Sequence, residues 1–466
     1  MFRRLLLIVI TAATCLAAPL GAQVSDAEYA ARRDSLFAAL EDGVTIVFGA
    51  DEPDPDYLPW QQARGFLYLT GFDEPGAALV MVEHDGAQHE LLFVREKNPA
   101  EEVWTGKRLG VAAVRETLGL EGRNASTLPH MIDSLRQLGG RLYGVGDVER
   151  ISALGATDAN AAVDLLRGQK SLGELVRLQI AAEISAQGHL EVMRTVRPGI
   201  AEFQIEALAE YIWRSAGADG PGYTSIVGSG PNATTLHYGE NSRTAQDGEV
   251  IVMDMAAAFD GYSADITRTV PVNGTFSPAQ REIYTIVLDA QKAAERQVRA
   301  GGPARAMSDS AGAVLRAGLA RIGLIDAPDA RYECGSRDEP RQCSQLSLYY
   351  MHGLGHGIGL DVHDPDQYYA TGTIDVGSAF TIEPGIYVRS NLLEIIPDTE
   401  RNRAFKQRIA QAFAKYAGIG VRIEDDYLVT ENGVLRPSAG VPREIDEVEA
   451  ELAKPRPPLL PVRVIP

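Results

Sequence analysis

Four carboxylates and one imidazole stand out from the rest of the sequence: Asp254, Asp265, His356, Glu383 and Glu424. They sit in the contexts VMDMAAAFDGYSADITRT, HGLGHGIGLDVHD, TIEPGIY and GVRIEDDY. Four anionic oxygen donors with one nitrogen donor suit two hard or borderline divalent cations that share a site. A core buries that many carboxylates only when something neutralises them. The chemistry implied is two-metal hydrolysis, in which a hydroxide bridging the cations serves as nucleophile at neutral pH.

Each context says something about its own geometry. The segment Glu249–Met255 is apolar and β-prone with one acid, Asp254, and Phe259-Asp260-Gly261 is a turn signal. If the turn is centred on 259–260, Asp254 and Asp265 are direct cross-strand partners; if on 260–261, they are diagonal neighbours. Either register puts both on one face, where like charges repel unless a cation lies between them. The run His352-Gly353-Leu354-Gly355-His356-Gly357-Ile358-Gly359 is too glycine-rich for a helix, and its glycines let backbone pass close to a site. No GKS or GKT follows it, so it is not a phosphate loop. His363-Asp364 comes shortly after, which puts three of the eight histidines within twelve residues. Glu383 ends an apolar strand before Pro384-Gly385. Arg422 and Glu424 are two apart on GIGVRIED and share a face.

The elements that must hold these residues divide the chain in two. Residues 25–165 read as an N-terminal α/β domain: a helix over Tyr29–Leu40, a strand at Val44–Phe48, then RGFLYLTGF, AALVMVEH and QHELLFVRE as further strands of a mixed sheet. The second unit, 171–450, opens with the capping box Ser171-Leu172-Gly173-Glu174 and a helix that stops before Arg197-Pro198-Gly199. Ile205, Leu208, Ala209, Ile212 and Trp213 form the core stripe of the next helix. Further helices are expected from about Ser277 to Arg299 and from Arg305 to Ile322, and 452–466 reads as a proline-rich tail.

Composition narrows the setting. The 466 residues carry a net charge of −19, which argues against a nucleic-acid partner or a basic membrane-surface role. Residues 1–22 have a basic start (Arg3, Arg4), an apolar run and small residues ending at Ala22. They read as a cleavable export signal, which places the mature protein in the periplasm or outside the cell. No other segment is apolar enough to span a bilayer. Cys334 and Cys343, nine apart, are expected to form a loop disulfide in an oxidising compartment.

At these residues the chain resembles the Xaa-Pro aminopeptidase (aminopeptidase P) family of the pita-bread metallopeptidase superfamily. The likeness extends over roughly 30–440, including GYTSIVGSGPNATTLHYGEN, DITRTVPVNGTFSPAQREIYTIVL, FLYLTGFDEPGAALVM and VWTGKRLG. It implies an α+β chain, with a C-terminal pita-bread domain behind a smaller α/β domain. By resemblance, Asp254, Asp265, His356, Glu383 and Glu424 hold a dinuclear centre. Asp265 and Glu424 bridge, Asp254 serves one metal, and His356 and Glu383 serve the other. Glu383 also moves the water's proton. His237 and His363 hydrogen-bond the substrate carbonyl or its oxyanion, His352 borders a proline pocket, and Arg422 orients ligands. Manganese is the first choice of metal because oxygen donors dominate, with zinc, cobalt and iron left open. The substrates implied are peptides with proline second, and the implied assembly is a homo-oligomer, dimer or tetramer.

Two departures from the family pattern stand out. An insertion at about 389–417 contains TERNRAFKQRIAQAFAKYA, a candidate helix over the site mouth, and the CGSRDEPRQC loop also looks added. Prolidase is the nearest rival, since it shares all five ligands but takes dipeptides; VWTGKRLG tilts toward aminopeptidase. Methionine aminopeptidases lack an N-terminal domain of this kind. Creatinase-like enzymes lack the metal set, and a non-catalytic peptide-binding module on the same fold would have lost ligands.

Overall fold

The computed structural model describes residues 24–454, apart from 57–58, 139, 336–338 and 340. The expected export signal, and the proline-rich tail from 455 onward, lie outside the described residues. The tail's expected start at 452 is the last residue of the helix Ile445–Leu452.

The N-terminal part is built on a mixed six-stranded sheet. Its central strand, β1 (Gly43–Phe48), pairs antiparallel with β2 (Ala78–His84), which pairs antiparallel with β3 (Ala87–Val94). Parallel pairs add β4 (Glu121–Asn124) beside β3, β5 (Arg141–Val145) beside β1 and β6 (Thr157–Asp158) beside β5. Both faces are covered, so alternate residues feed separate cores. Ile46, Val80 and Phe93 pack on one side, and Val47, Leu79 and Leu92 on the other.

One expected strand is a helix. RGFLYLTGF forms Arg64–Thr70, ended by Gly71 in the left-handed region at φ 64°. Its aromatic and β-branched residues suit a strand, but Phe66, Leu69 and Thr70 bury one helical face, and this packing overrides propensity.

The C-terminal part follows the expected order more closely. Ser171 and Glu174 form the capping box of the helix Leu172–Met193. The helix Glu202–Ser215 buries Ile205, Ala209 and Trp213. Pro278–Glu295 and Arg305–Arg321 follow. These helices share one hydrophobic core with two antiparallel ladders. In the first, Val250–Asp254 lies between Ile226–Ser229 and Thr267–Pro271. In the second, Ala379–Ile382 pairs with Asp425–Thr430, and Gly385–Tyr387 with Gly420–Arg422. An isolated bridge, Thr267 to Glu424, joins the two ladders, and the Thr269 hydroxyl bonds the Arg422 backbone across the same seam.

The seam between the ladders is fastened from beneath by polar groups. Arg268, fully buried, pairs with Asp425 at 2.7 Å and donates to the carbonyls of Glu424 and Val441. Gln291 donates to the carbonyls of Ile382 and Ile423 on the two sides of the break and to the Asp425 carboxylate. The Cys334–Cys343 disulfide is present and staples the hairpin Arg331–Glu333/Gln342–Ser344.

Candidate metal centre

The turn settles the register of the two aspartates. Asp260 and Gly261 both have positive φ, 50° and 81°, as a type I′ hairpin turn requires. Phe259 therefore faces Tyr262, and Asp254 faces Thr267, so the diagonal register is the one adopted. Asp265 lies between two short strands, free of strict pairing, and its amide donates to the carboxylate of Asp426 at 3.2 Å.

The second ladder breaks at the matching place. Ile382 faces Asp425 and Gly385 faces Arg422. Carried across the gap, this register sets Glu383 opposite Glu424, with Pro384 interrupting the hydrogen bonds between them. His356 comes from the neighbouring segment, whose carbonyl accepts from the Thr381 amide at 2.9 Å. Here the glycines are steric necessities: a Cβ on Gly355 would collide with the Thr381 carbonyl, and one on Gly357 with that of Asp364.

All nine residues singled out in the sequence line one cavity of about 510 Å³: His237, Asp254, Asp265, His352, His356, His363, Glu383, Arg422 and Glu424. Donor atoms of Asp265, His356 and Glu424 lie within 4.8 Å of one another. His356 Nε2 is 3.5 Å from Asp265 and 3.6 Å from Glu383. Arg422 pairs with Asp254 and also reaches the Tyr387 hydroxyl at 3.0 Å, and His352 Nε2 meets that hydroxyl at 2.8 Å. The rings of His356 and His363 are 4.0 Å apart.

The electrostatics call for a cation. Burial, then the neighbouring charge of Glu424, drives Asp265 and Glu383 well above the usual carboxylate range. Burial and Asp254 push Glu424 up to about 8. Its Oε1 is buried with no hydrogen-bond partner, while Oε2 accepts from the Thr267 hydroxyl at 2.6 Å. A buried carboxylate oxygen without a hydrogen-bond partner, among acids that cannot all ionise, fits a site for a cation. Burial also lowers His356 and His352 to about 4, the former helped by His363 and the latter by Arg422. His356 is thus neutral, as a ligand must be. The donor set fits divalent metal.

Three hydroxyl residues escaped the sequence reading. The Tyr223 hydroxyl lies between the two aspartates, 2.7 Å from Asp254 and 2.6 Å from Asp265, and donates its one proton to either. Thr267 holds Glu424, and Thr381 accepts the His356 amide at 3.2 Å. Tyr223 stands in GYTSIVGSGP, inside the resemblance, but a hydroxyl carries no ligand signature of its own.

The inserted segment forms the expected helix, Glu400–Tyr416, but it does not cover the site. No residue of 389–417 lines the cavity. Phe405 and Ile409 join the common core, Asn402 bonds the backbone of Glu333, and Lys415 pairs with Glu282. Its apolar stripe faces the outer helices and the stapled hairpin, so it thickens the shell.

Residues 176–431 match metallopeptidase family M24, and residues 29–141 match the aminopeptidase P N-terminal domain. The chain is 34% identical to the Xaa-Pro aminopeptidase of Escherichia coli K12, over 93% of this chain and 99% of that protein. It is 33% identical to the Xaa-Pro aminopeptidase of Haemophilus influenzae, over 92% and 97%. The structure of E. coli aminopeptidase P with the inhibitor Pro-Leu superimposes with a TM-score of 0.78 at 31% identity, covering 92% of this chain and 98% of that one. The fold is accordingly the expected one, a pita-bread domain behind a smaller N-terminal domain. On matched families, relatives and site geometry together, the chain belongs to metallopeptidase family M24, with the N-terminal domain of aminopeptidase P.

Proposed function

We propose that this metal-dependent aminopeptidase hydrolyses the bond between an N-terminal residue and a proline in second position. The observation that carries the reading is the convergence of Asp254, Asp265, His356, Glu383 and Glu424 with three further histidines on one cavity. The names of the relatives support the proline specificity.

Asp254, Asp265, His356, Glu383 and Glu424 would hold two divalent cations, manganese first among them because oxygen donors dominate. When bound, such cations activate water at neutral pH and polarise the scissile carbonyl. Asp265 and Glu424 would be shared between the cations, their donor atoms lying within 4.8 Å of each other and of a His356 nitrogen. Glu383 carries a proton from the attacking water to the leaving proline nitrogen. His363 and His237 donate hydrogen bonds to the carbonyl oxygen as it gains charge, a task that suits donors already in place. His352, fixed on the Tyr387 hydroxyl, borders the proline ring, and Arg422 holds Asp254 in position. An imide nitrogen offers no N–H, so pocket shape must supply recognition.

Three further parts belong to this reading. A division into domains at 25–165 and 171–450 is supported by the separate sheet at the N-terminal end. Export by residues 1–22 is supported by their composition and by the disulfide further on. Among the described residues no helix is long and apolar enough to cross a membrane. A homo-oligomer, dimer or tetramer, belongs to this reading through the resemblance to the family.

The test is mass-spectrometric cleavage by manganese-loaded protein of an Xaa-Pro dipeptide, an Xaa-Pro-Xaa tripeptide and an Xaa-Ala control. Cleavage of the tripeptide before proline, with the dipeptide poor, is expected. Cleavage of the dipeptide alone would make the enzyme a prolidase, and cleavage of the alanine control alone would refute the proline pocket.

A further inference from the structure

His363 is carried by a short loop, and what fixes that loop lies outside the cavity. The next residue, Asp364, returns its amide to the Gly357 carbonyl at 2.8 Å and takes the Asp361 amide on its own carboxylate at 3.0 Å. A Cβ on Gly359 would collide with that carboxylate, so the glycine makes room for it. The Asp364 side chain is only 2% exposed and is met by two cations. Arg167 pairs with it directly, and Lys170 Nζ lies 3.1 Å away while also donating to the Pro365 carbonyl. Arg167 reaches Asp361 as well, at 2.7 Å, and Arg64 meets Asp361 at 3.1 Å.

These cations come from the other half of the chain. Arg64 opens the helix Arg64–Thr70, and Arg167 ends the helix Asn160–Arg167. Lys170 lies in the connection that leads into Leu172–Met193. The connection is stitched to the same region by its backbone, with the Lys170 amide on the Gly377 carbonyl and the Gln367 amide on that of Gly168. No residue of this half lines the metal cavity. A buried carboxylate with two cations is rigid, because loss of either partner leaves charge without compensation. That rigidity is applied one residue from His363.

We propose that Arg167 and Lys170, acting through Asp364, are positioning residues for His363. The N-terminal domain and its connection thus set a catalytic geometry that they do not themselves line. The inference rests on the reading of His363 as a donor to the substrate carbonyl.

The experiment is steady-state kinetics on an Xaa-Pro-Xaa peptide with manganese-loaded full chain. It compares Lys170→Met, His363→Ala and the double variant, each checked for bound metal and cooperative melting. Lys170→Met is expected to lower kcat about 10- to 100-fold, as loss of a supporting partner does, with KM and metal content nearly unchanged. Combined with His363→Ala it should add no further loss, because both changes remove one contribution. The same loss in both backgrounds would overturn the proposal, since the lysine would then act independently of His363. Wild-type kcat in His363→Ala would instead refute the assignment of His363, and the inference with it. If Lys170→Met fails to fold, Arg167→Lys takes its place, which keeps a cation but loses the guanidinium that reaches both Asp361 and Asp364. A lower kcat confined to the background with His363 intact would uphold the proposal, and unchanged kcat would overturn it.

Discussion

Four carboxylates within one cavity cannot all be charged unless cations join them, and this repulsion is the physical core of the site. Asp265→Asn removes a charged oxygen from the group that Asp265 forms with His356 and Glu424. It should lower activity by on the order of 100-fold or more, beyond the usual cost of losing a supporting partner. Activity assay with metal analysis checks this, and wild-type turnover would contradict it. The same repulsion predicts a pH dependence. In the metal-free protein Glu424 is raised from 4.5 to about 8. A raised folded-state pKa gives stability that is present below the unfolded value and is lost as pH climbs through the folded one. Metal takes the proton's place, so added manganese should raise Tm more at pH 8 than at pH 6. Calorimetry at the two pH values tests this, and an equal or smaller shift at pH 8 would count against it. At this scale the sequence is legible as to which side chains converge on the cavity, because acids and histidines in apolar, glycine-rich contexts have few structural uses. Tyr223, Thr267 and Thr381 stayed hidden because hydroxyl residues serve many roles in strands.

At the scale of elements, the site forms where two ladders lose regular pairing. Asp260-Gly261 sets the register of one, and Pro384 interrupts the other. Gly261 sits at φ 81°, and a Cβ there would meet only side-chain atoms at ordinary contact distance. Gly261→Ala should therefore cost only the left-handed backbone penalty, about 1–2 kcal/mol, and lower Tm by a few degrees. A thermal melt beside an activity assay tests this, with kcat expected to stay near wild type. The turn is visible in the sequence, which leaves two registers open, and the strand pairing decides between them. The residues of the helix Arg64–Thr70 favour strands in isolation, and only burial of Phe66, Leu69 and Thr70 decides otherwise. The helix Glu400–Tyr416 was expected, whereas its location was not. An amphipathic pattern says which face is buried but not against what.

Over the whole molecule, chemistry is concentrated in one half and support is spread through both. Arg268 and Gln291 fasten the seam from below, and the Arg167–Lys170–Asp364 contacts hold one rim from the side. The disulfide lies in the outer hairpin, whose residues do not line the cavity. Replacing both cysteines by serine should lower stability by about 2–3 kcal/mol through the loop it closes, with kcat unchanged. Denaturant titration tests this, and an unchanged midpoint would mean the staple is neutral. Two domains and their order were legible from composition and patterning; the ion pairs between them were not, since partners such as Arg167 and Asp364 lie 197 residues apart. The central claim is that the five ligands hold two metal ions. Anomalous diffraction from crystals of the manganese-loaded protein tests it most directly. Two peaks enclosed by Asp254, Asp265, His356, Glu383 and Glu424 are predicted; a single peak, or metal bound elsewhere, would contradict the account.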